Sequence, residues 1–351
     1  MCIFWKKIKK YFVYKYFPLI IAITFAQRAN YKHQIAQKKY MSKSRIIVVG
    51  SSNTDMVIRT DRFPKPGETI LGGDFFMNQG GKGANQAVAA ARLGGDVLFI
   101  SSVGNDIFGK TALQSLQKEG IDVGYTRIDR DSPSGVAVIT VDRSGENNIV
   151  VAPGANGTLL PKEVQYIEDL MEEGAFVLMQ LEIPMQTVEY IISKAEGKGT
   201  KVILNPAPAQ TLSQEILRKI YLLTPNEEEA FLLTGVSVSD IPSAQEAAKK
   251  LIKQGVQNVI ITMGSKGALA LFEGEYIYRE AQKVVPIDTT AAGDVFNGAL
   301  VVALNEEQPI REALSFASQA AAIAVTRLGA QSSSPYRNEI ENHYQTIQNQ
   351  I

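Results

Sequence analysis

The segment between Asp288 and Asp294 contains small residues and runs into the helical pattern Val295 to Leu300. Glycine and alanine let an anion approach the backbone closely, and the free N–H groups and dipole at a helix start favour negative charge there. Asp294 has the wrong charge to hold a phosphate, but it is the right group to take a proton from a hydroxyl that attacks one. The alternative at this point is that Asp294 only caps the helix, as aspartate often does.

Histidine and cysteine chemistry is largely excluded by where these residues lie. Cys2 and His33 fall within the first forty residues, and His343 falls in the C-terminal tail. A Ser-His-Asp or Cys-His mechanism therefore lacks a histidine in the body of the chain, which also has no thiolate zinc site. Proton transfer falls to Asp, Glu, Lys or Tyr. The lack of a disulfide framework fits a reducing compartment, and we expect a cytoplasmic protein.

Residues 1–40 differ in composition from the rest of the chain. They contain nine Lys or Arg and no Asp or Glu, and their apolar run Phe17–Ala26 is interrupted by Pro18. This pattern resembles a signal peptide, a short membrane anchor or an organelle-targeting peptide, but the run is too short for an ordinary transmembrane helix. The alternative is that Met41 is the natural start. The remaining chain has 27 basic and 36 acidic residues, which offers no general nucleic-acid surface.

From Arg45 onward, short apolar runs alternate with helical patterns. The runs are continuous and rich in β-branched residues, as strands buried on both faces should be. The alternation predicts an α/β fold with a doubly wound, mostly parallel sheet flanked by helices. The predicted strands are 46–49, 98–100, 176–179, 202–204, 221–223 and 259–261, and the predicted helices include 86–93, 111–119, 187–195 and 244–253.

Two segments, about 53–79 and 131–151, break this alternation. The second contains a hairpin pattern with a polar turn, and the first is rich in proline and glycine. Together they predict a small β-sheet lid over one end of the main sheet, and the alternative is a peripheral hairpin without function. We divide the chain into an extension, 1–40, a body, 41–340, and a tail, 341–351.

Polar residues recur just after the predicted strands. In an open α/β sheet, ligands bind at the carboxyl ends of the strands, so these residues are expected to converge on one edge. They are Asn53, Asp55, Glu182, Asn226, Glu229 and the segment 262–267.

Two glycine-rich segments suggest phosphate binding. Gly104–Thr111 formally satisfies the Walker A pattern, but Ile107 and Phe108 are bulky and Asp106 would repel an anion, which disfavours a true P-loop. Gly80–Gln86 lacks the Walker Ser/Thr and instead places two glycines before a helix. Its alternative interpretation is a plain glycine-rich turn with an Asn cap.

Read together, Gly80–Gln86 and Asp288–Asp294 resemble motifs of the ribokinase-like (pfkB) family of sugar kinases. The similarity extends from about Arg45 to Arg337, nearly the whole body, and it reassigns Gly104–Thr111 to a sugar-kinase loop. The motifs, in order, are Gly50–Asp55, Pro64–Thr69, Gly80–Gln86, Gly104–Asp106, Asn205–Pro208, Thr224–Glu227, Gly264–Gly267, Asp288–Asp294 and Val325–Gln331.

The resemblance implies ATP-dependent phosphorylation of D-ribose at its 5-hydroxyl. Asp294 is then the base, and the N–H groups around Ala292 and Gly293 form an anion hole for the transferred phosphoryl group. Sugar-binding residues by this resemblance are Asn53, Asp55, Gly81, Lys82, Gly83, Asn85, Glu182 and Asp294. ATP-binding residues are Asn226, Thr262, Gly264, Ser265, Lys266, Gly267, Gly293 and Ser318.

The same resemblance implies two metal ions and a homodimer. Glu229, with Asn226, matches a pattern linked to Mg²⁺ and is expected to act through ordered water. Gly80 and Gly81 are expected to be the hinge of the lid, and the lids are expected to join two copies of the chain. A K⁺ site is implied at Asp288, Thr290, the backbone oxygens of Ala324, Arg327 and Gly329, and the Ser333 hydroxyl.

Three departures and three alternatives remain at the level of sequence. Ala291 stands where many relatives carry Gly, Ser318 is less aromatic than expected beside adenine, and residues 1–40 have no counterpart in the family. The alternatives are a related kinase acting on deoxyribose, a nucleoside or another furanose, a sugar-binding regulator without catalysis, and a Walker-type ATPase. The intact loop at Asp294 disfavours the regulator.

Overall fold

The computed structural model describes residues 44–341, and its largest element is an eight-stranded sheet. Six neighbouring strands are parallel, and two antiparallel strands extend one edge. Numbered in chain order, the strands are β1 (Ile46–Val49), β4 (Val97–Ile100), β9 (Phe176–Met179), β10 (Lys201–Leu204), β11 (Leu222–Leu223), β12 (Asn258–Thr262), β13 (Ala268–Phe272) and β14 (Glu275–Arg279). Their order across the sheet is β14-β13-β12-β11-β10-β9-β1-β4.

The parallel strands are continuously apolar because both faces of the sheet are covered. All four residues of β1 are buried, and alternate side chains enter different cores: Ile46 and Val48 join one cluster, and Ile47 and Val49 join the other. This arrangement confirms the predicted doubly wound α/β fold.

Eight α-helices of the described residues cover these two faces. One core receives α1 (Lys82–Arg92), α2 (Ile107–Lys118), α7 (Ala292–Asn305) and α8 (Ile310–Ala324). The other receives α3 (Met185–Lys198), α4 (Gln214–Leu217), α5 (Glu227–Thr234) and α6 (Ile241–Gln254). None of the helices within residues 44–341 is both long and apolar enough to cross a membrane.

A separate four-stranded sheet forms where the lid was predicted. Its strands are β2 (Asn53–Arg59), β3 (Phe75–Gly80), β7 (Gly135–Val141) and β8 (Asn147–Ala152), in the order β3-β2-β7-β8. Several of its apolar side chains are exposed, among them Phe75, Met77, Val138, Ile149 and Val150. Two short parallel strands that the sequence did not predict, β5 (Ser102–Gly104) and β6 (Arg127–Asp129), form a third sheet.

The segment Gly104–Thr111 is not a phosphate cradle. Asp106 caps α2 by accepting a hydrogen bond from the Gly109 N–H at 2.8 Å, and it also accepts from the Ser134 N–H and hydroxyl at 2.8 and 2.7 Å. A carboxylate therefore occupies the position that an anion would need. The Walker-type alternative is wrong for this reason.

Candidate active site

The site lies at the carboxyl ends of the parallel strands. Strand β1 leads to Ser51 and β2, β9 leads to Gln180 and Glu182, and β10 leads to Asn205. Helices α1 and α7 bring their first turns to the same edge, since side chains of α1 bond Asp294 on α7. The sheet thus assembles polar residues from distant parts of the chain at one place.

Asp294 lies in the first turn of α7 with 6% of its surface exposed. The helix begins at Ala292, and its N-cap residue is Ala291, which has a φ of 60°. The interpretation of Asp294 as the helix cap is therefore wrong. Its Oδ2 accepts a hydrogen bond from the Asn85 amide at 3.0 Å. Its Oδ1 accepts one from the Gln86 amide at 3.0 Å. Both carboxylate oxygens are therefore fixed by α1.

Burial raises the pKa of Asp294 above its ordinary value. The positive charge of Lys82 and the hydrogen bonds from the Asn85 and Gln86 amides oppose this rise, and the nearby charge of Glu182 adds to it. The result is a buried carboxylate that is a stronger base than a surface aspartate but is still supported in its ionised form.

Lys82 faces an excess of carboxylates in this site. Its pKa is raised, chiefly by the charge of Asp294 and further by Glu182, Glu229 and Asp55, although burial opposes the rise. Burial, with the charges of Glu182 and Asp294, raises the pKa of Asp55 to about 7, while Lys82 lowers it. Such a site has acceptors to spare, and a ligand rich in hydroxyl donors would satisfy them.

Asp55 packs against the end of β3, where Gly80 has no side chain to displace it. A Cβ placed on Gly80 would lie 2.1 Å from Asp55 Oδ2. The two residues belong to adjacent antiparallel strands of the lid sheet, β2 and β3. Close packing against Asp55 therefore explains why glycine occupies position 80. The role of Gly80 as a hinge is a separate matter and stays a prediction.

Glu182 and Asn53 are each held by residues that sequence reasoning missed. Glu182 Oε2 accepts from the Ser51 hydroxyl at 2.5 Å and from the Lys82 backbone N–H at 3.0 Å. Asn53 Oδ1 accepts from the Asn156 amide at 2.8 Å, and Asn156 in turn bonds the backbone of Ser52. The position of Ser51 inside the motif Gly50–Asp55 was the available signal for it, whereas Asn156 has no such signal.

The predicted K⁺ residues lie mainly in two adjoining segments. Asp288 Oδ1 accepts from the Thr290 N–H and its Oδ2 accepts from the Gly329 N–H, both at 2.9 Å. Desolvation, the largest influence, would raise the pKa of Asp288, but these hydrogen bonds and the charge of Arg59 lower it overall.

The remaining members of that set lie at or after the end of α8. The Arg327 N–H donates to the Ala324 oxygen at 3.0 Å, and the buried Ser333 hydroxyl donates to the Ala330 oxygen at 2.8 Å. Within the described residues, no hydrogen bond joins Ser333 to Asp288. The structure therefore brings Asp288, Thr290 and Gly329 together directly and Ser333 only through its neighbours in the chain.

The predicted nucleotide residues differ in exposure: Asn226 and Gly264–Lys266 are exposed, Thr262 and Ser318 are half-buried, and Gly267 is buried. Asn226 caps α5 and forms a reciprocal capping box with Glu229, and the Thr262 N–H donates to the Pro225 oxygen at 3.0 Å. Residues Gly264–Lys266 form an exposed 3₁₀ turn, and Lys266 pairs with Glu227 at 2.9 Å. Ser318 lies half-buried on α8 and donates to the Leu314 oxygen at 2.8 Å, with no hydrogen bond to that turn among the described residues.

Glu229 is 5% exposed, and burial raises its pKa, opposed by the Asn226 hydrogen bond and by Lys82. Its two oxygens accept from the Asn226 backbone and side-chain nitrogens at 2.9 and 3.0 Å. A carboxylate oxygen has a second lone pair, so each can also accept from a water molecule. These features fit a carboxylate that meets a hydrated cation without binding it directly.

Comparison with protein families places this site in a known context. The family model described as pfkB family carbohydrate kinase matches residues 43–337. A ribokinase of Haemophilus influenzae is 48% identical over 294 residues, covering 84% of this chain and 96% of that protein. A deoxyribokinase of Salmonella typhi is 36% identical over 291 residues, covering 83% and 95% respectively.

A solved structure agrees in fold over nearly the same span. The structure of Arabidopsis thaliana ribokinase, complexed with ribose and ATP, matches with a TM-score of 0.79 and 32% identity. The match covers 86% of this chain and 98% of that one.

Proposed function

The chain belongs to the pfkB family of carbohydrate kinases, and from that premise we propose that it transfers the γ-phosphoryl group of ATP to the 5-hydroxyl of D-ribose. The products are D-ribose 5-phosphate and ADP. One observation carries this proposal above the others: a buried carboxylate, Asp294, lies at a helix start with amide donors on both oxygens, and the carboxylates of Asp55 and Glu182 interact with it.

In the proposed reaction, Asp294 takes the hydroxyl proton as the ribose oxygen forms its bond to the γ-phosphorus. The bond between that phosphorus and the bridging oxygen of ADP breaks, and the electron pair leaves with ADP. Gly293 is exposed at the start of α7, where first-turn N–H groups have no intrahelical acceptor and can meet the phosphoryl oxygens. The Ala292 N–H contacts the Thr289 oxygen at 3.3 Å, so we assign it the lesser share of this role.

The sugar is proposed to lie between the lid and the main sheet. Asp55 and Glu182 accept hydrogen bonds from ring hydroxyls, and Asn85 adds an acceptor, because its Oδ1 is buried without a protein partner. Lys82 balances the carboxylates. Gly81, Gly83 and Asn53, which the resemblance assigns to sugar binding, are buried. A carboxylate that binds two neighbouring hydroxyls gains two charge-assisted hydrogen bonds at once.

Ribose is favoured over deoxyribose by the number of acceptors in the cleft. Deoxyribose lacks one hydroxyl, and a half-buried carboxylate such as Asp55 would then lose a partner. Leaving a charged acceptor unpaired costs roughly 1.5–3 kcal/mol, or about 10- to 150-fold in kcat/KM. The chain is similar to a deoxyribokinase as well as to a ribokinase, so the preference for ribose over deoxyribose is the most detailed part of the proposal.

ATP is proposed to bind across Asn226, Thr262 and the exposed turn Gly264–Lys266, with Gly267 and Ser318 as further members of the site. Mg²⁺ fits beside Glu229, which would hold it through ordered water. When bound with ATP, the ion neutralises charge on the phosphate oxygens.

K⁺ is proposed to bind at Asp288, Thr290, the oxygens of Ala324, Arg327 and Gly329, and Ser333. The support is that Asp288 already connects the two segments and that hydrogen bonds to its carboxylate lower its pKa, so it stays ionised. A cation there would fix the loop that leads to Asp294 without touching the transferred group.

We further propose that two copies of the chain associate through the lid sheet. Its strands carry exposed apolar side chains, with Val150 71% and Phe75 59% exposed. A contiguous exposed apolar surface of this kind is typical of an interface. The cytoplasmic location and the boundaries at residues 40 and 341 stay predictions, since residues 1–40 lie outside the described part of the chain.

One assay panel tests the proposed activity. The protein is incubated with ATP, Mg²⁺ and K⁺ and with ribose, deoxyribose, fructose or adenosine, and ADP release is measured. We expect release to be fastest with ribose and at least about 10-fold slower with deoxyribose. Absence of ADP release with every sugar contradicts the kinase assignment and favours the sugar-binding regulator, whereas a preference for another acceptor corrects only the substrate.

A further inference from the structure

A line of buried amides contacts the oxygen of Asp294 that Asn85 does not reach. Gln86 on α1 and Gln180 after β9 are fully buried, and Asn205 after β10 is 8% exposed. The Gln86 Nε2 donates to Asp294 Oδ1 at 3.0 Å and to Asn205 Oδ1 at 3.1 Å. Its Oε1 accepts from Gln180 Nε2 at 2.6 Å. Three strand and helix ends thus meet behind the carboxylate.

The direction of these hydrogen bonds follows from a backbone oxygen at one end of the line. The Thr224 oxygen can only accept, and it lies 3.2 Å from Asn205 Nδ2, so Asn205 turns its own oxygen toward Gln86. Gln86 must then present its NH₂ group, and both hydrogens are used, one for Asn205 and one for Asp294. The opposite orientation of the Gln86 amide would place an oxygen against two acceptors.

The close contact between α1 and α7 makes this geometry possible. A Cβ on Gly298 would lie 2.6 Å from the Ala89 Cβ and 2.7 Å from the Gln86 backbone oxygen. The two helices therefore touch where α7 has no side chain. This approach brings the Gln86 amide within hydrogen-bond distance of Asp294 one turn earlier on α7.

We propose that Gln86 is a positioning residue that fixes the carboxylate of Asp294 through Oδ1 and so leaves Oδ2, beside Asn85, to face the reacting hydroxyl. This inference rests on the proposed function, because it takes Asp294 as the group that accepts the substrate proton. Two observations mark the Oδ2 side as the substrate side. The Asn85 Oδ1, next to Asp294 Oδ2, is buried without a protein partner, and within residues 44–341 the side-chain hydrogen bond to Asp294 Oδ1 comes from Gln86 in the amide line.

The charged groups around Asp294 make its amide donors important. Lys82 on α1 is a cation, whereas Glu182 after β9, Asp55 on β2 and Glu229 on α5 are carboxylates that interact with Asp294 or with the same lysine. Negative charge therefore exceeds positive charge in this group. The ionised form of Asp294 depends on the hydrogen bonds from α1, and Gln86 supplies one of the two.

The test compares the pH profile of kcat at saturating ribose and ATP for the parent protein, Gln86→Met and Gln86→Glu. Saturation with ribose keeps the titration of Asp55 out of kcat. Methionine preserves the volume but donates nothing, and Glu preserves the shape but adds a carboxylate. We expect the acid limb of kcat to shift to higher pH by about one unit or more in both variants, because a hydrogen bond to a charged group is lost. The KM for ribose should change by less than about threefold, since Gln86 does not touch the sugar.

The matched control is Gln319→Met, which removes another buried glutamine amide far along the chain. Gln319 on α8 is 2% exposed and donates to the Ser315 hydroxyl at 3.1 Å. The acid limb of the kcat profile of Gln319→Met should coincide with that of the parent protein. This control separates the loss of any buried amide from the loss of this one.

Each outcome decides a different point. A parent protein that releases no ADP with any sugar overturns the proposed function, and with it the premise of this inference. If the parent protein is active and the acid limb of its kcat profile coincides with that of the Gln86 variants, only the positioning role is overturned. A fall in kcat without a shift of the acid limb overturns it as well. If Gln86→Met does not fold, Gln86→Glu decides by the same criterion.

Discussion

Asp288 and Asp294 lie at the two ends of one loop, and their surroundings tune them in opposite directions. Asp294 is buried, and its hydrogen bonds come from the side-chain amides of Asn85 and Gln86. Asp288 is half-buried, and its hydrogen bonds come from the backbone N–H groups of Thr290 and Gly329. The pKa of Asp294 is raised, chiefly by burial, and that of Asp288 is lowered by its hydrogen bonds.

The difference shows how one short segment supplies two chemically distinct carboxylates. A raised pKa suits a group that must accept a proton during the reaction, and a lowered pKa suits a group that must stay charged to hold a loop or a cation. Side-chain amides can be rearranged by substitution, whereas backbone N–H groups cannot. The first carboxylate is therefore the one whose chemistry mutation can adjust most readily.

The largest expected effect comes from removing the base. Asp294→Asn keeps the volume, but its single amide oxygen can accept from only one of the Asn85 and Gln86 amides, and it cannot take the hydroxyl proton. We expect kcat to fall by roughly 10²–10⁴-fold, with the affinities for ribose and ATP changed by less than about tenfold. Steady-state kinetics and calorimetric titration with ribose measure both quantities. A variant that retains more than a tenth of the parent kcat would contradict the role of Asp294.

The second prediction concerns Asp55, which is half-buried and, unlike Asp294, accepts no amide hydrogen bond from α1 within residues 44–341. Since its pKa is raised to about 7, the KM for ribose should increase as the pH falls through 7 and the carboxylate becomes protonated. Asp55→Asn should raise the KM by about 10-fold or more and remove this pH dependence. An unchanged pH dependence of the KM in the variant would show that another group titrates.

The third prediction concerns the effect of the Asp55 carboxylate on stability. The pKa of Asp55 rises from an ordinary 3.8 to about 7 on folding, so its favourable contribution is present below pH 3.8 and is lost as the pH rises through 7. Asp55→Asn should therefore stabilise the free protein at pH 8, by about 1–3 kcal/mol, and the gain should shrink toward pH 4. Urea denaturation at both pH values measures this, and a variant less stable at pH 8 would refute it.

The fourth prediction tests the other end of the loop. Asp288→Asn removes the charge of the proposed K⁺ site but leaves Asp294 and its donors in place. We expect the K⁺ concentration for half-maximal activity to rise by about 10- to 100-fold, with kcat at saturating K⁺ reduced by less than about tenfold. Titration of activity with KCl at constant ionic strength gives the comparison. Equal activity of the parent protein in Na⁺ and K⁺ counts against the site itself.

The smallest expected effect lies between the two carboxylates, at Ala291. Its φ of 60° is strained for alanine and free for glycine, which costs alanine about 1 kcal/mol. Glycine also loses more entropy on folding, so Ala291→Gly should change the free energy of unfolding by less than about 0.5 kcal/mol. Ala291→Val, which keeps the strain and adds a branch, should destabilise by more than about 1 kcal/mol. Urea denaturation of the two variants measures both changes in the free energy of unfolding, and the change for Ala291→Val should be the larger.

The fold was largely predictable because the parallel strands are buried on both faces. Strands such as β1 and β9 then read as continuous apolar runs, which local sequence shows directly. The antiparallel pair β13 and β14 and the short pair β5 and β6 were missed. Their pairing depends on which neighbour each strand meets, and β5 and β6 have only three residues each, so no periodic pattern could develop.

The site was predictable where it coincided with motifs and not where it depended on packing. Asp294, Asp55 and Glu182 were found because a carboxylate after a strand or at a helix start has a recognisable place. Gln180 lies in no motif, and Asn205, although it begins the motif Asn205–Pro208, was assigned no role, because an amide behind a carboxylate leaves no spacing pattern. Gln86 lies next to Asn85 in a quoted motif, but its contact with Asp294 depends on the close approach of two helices at Gly298.

The most direct test of the contrast between the two ends of the loop is a carboxyl ¹³C titration of protein labelled at aspartate, with Asp288→Asn and Asp294→Asn used to assign the two resonances. We expect Asp294 to titrate above the ordinary value of 3.8 and Asp288 below it. Coincident titrations, or Asp288 titrating at the higher pH, would contradict the claim that this loop holds one carboxylate for proton transfer and the other for permanent charge.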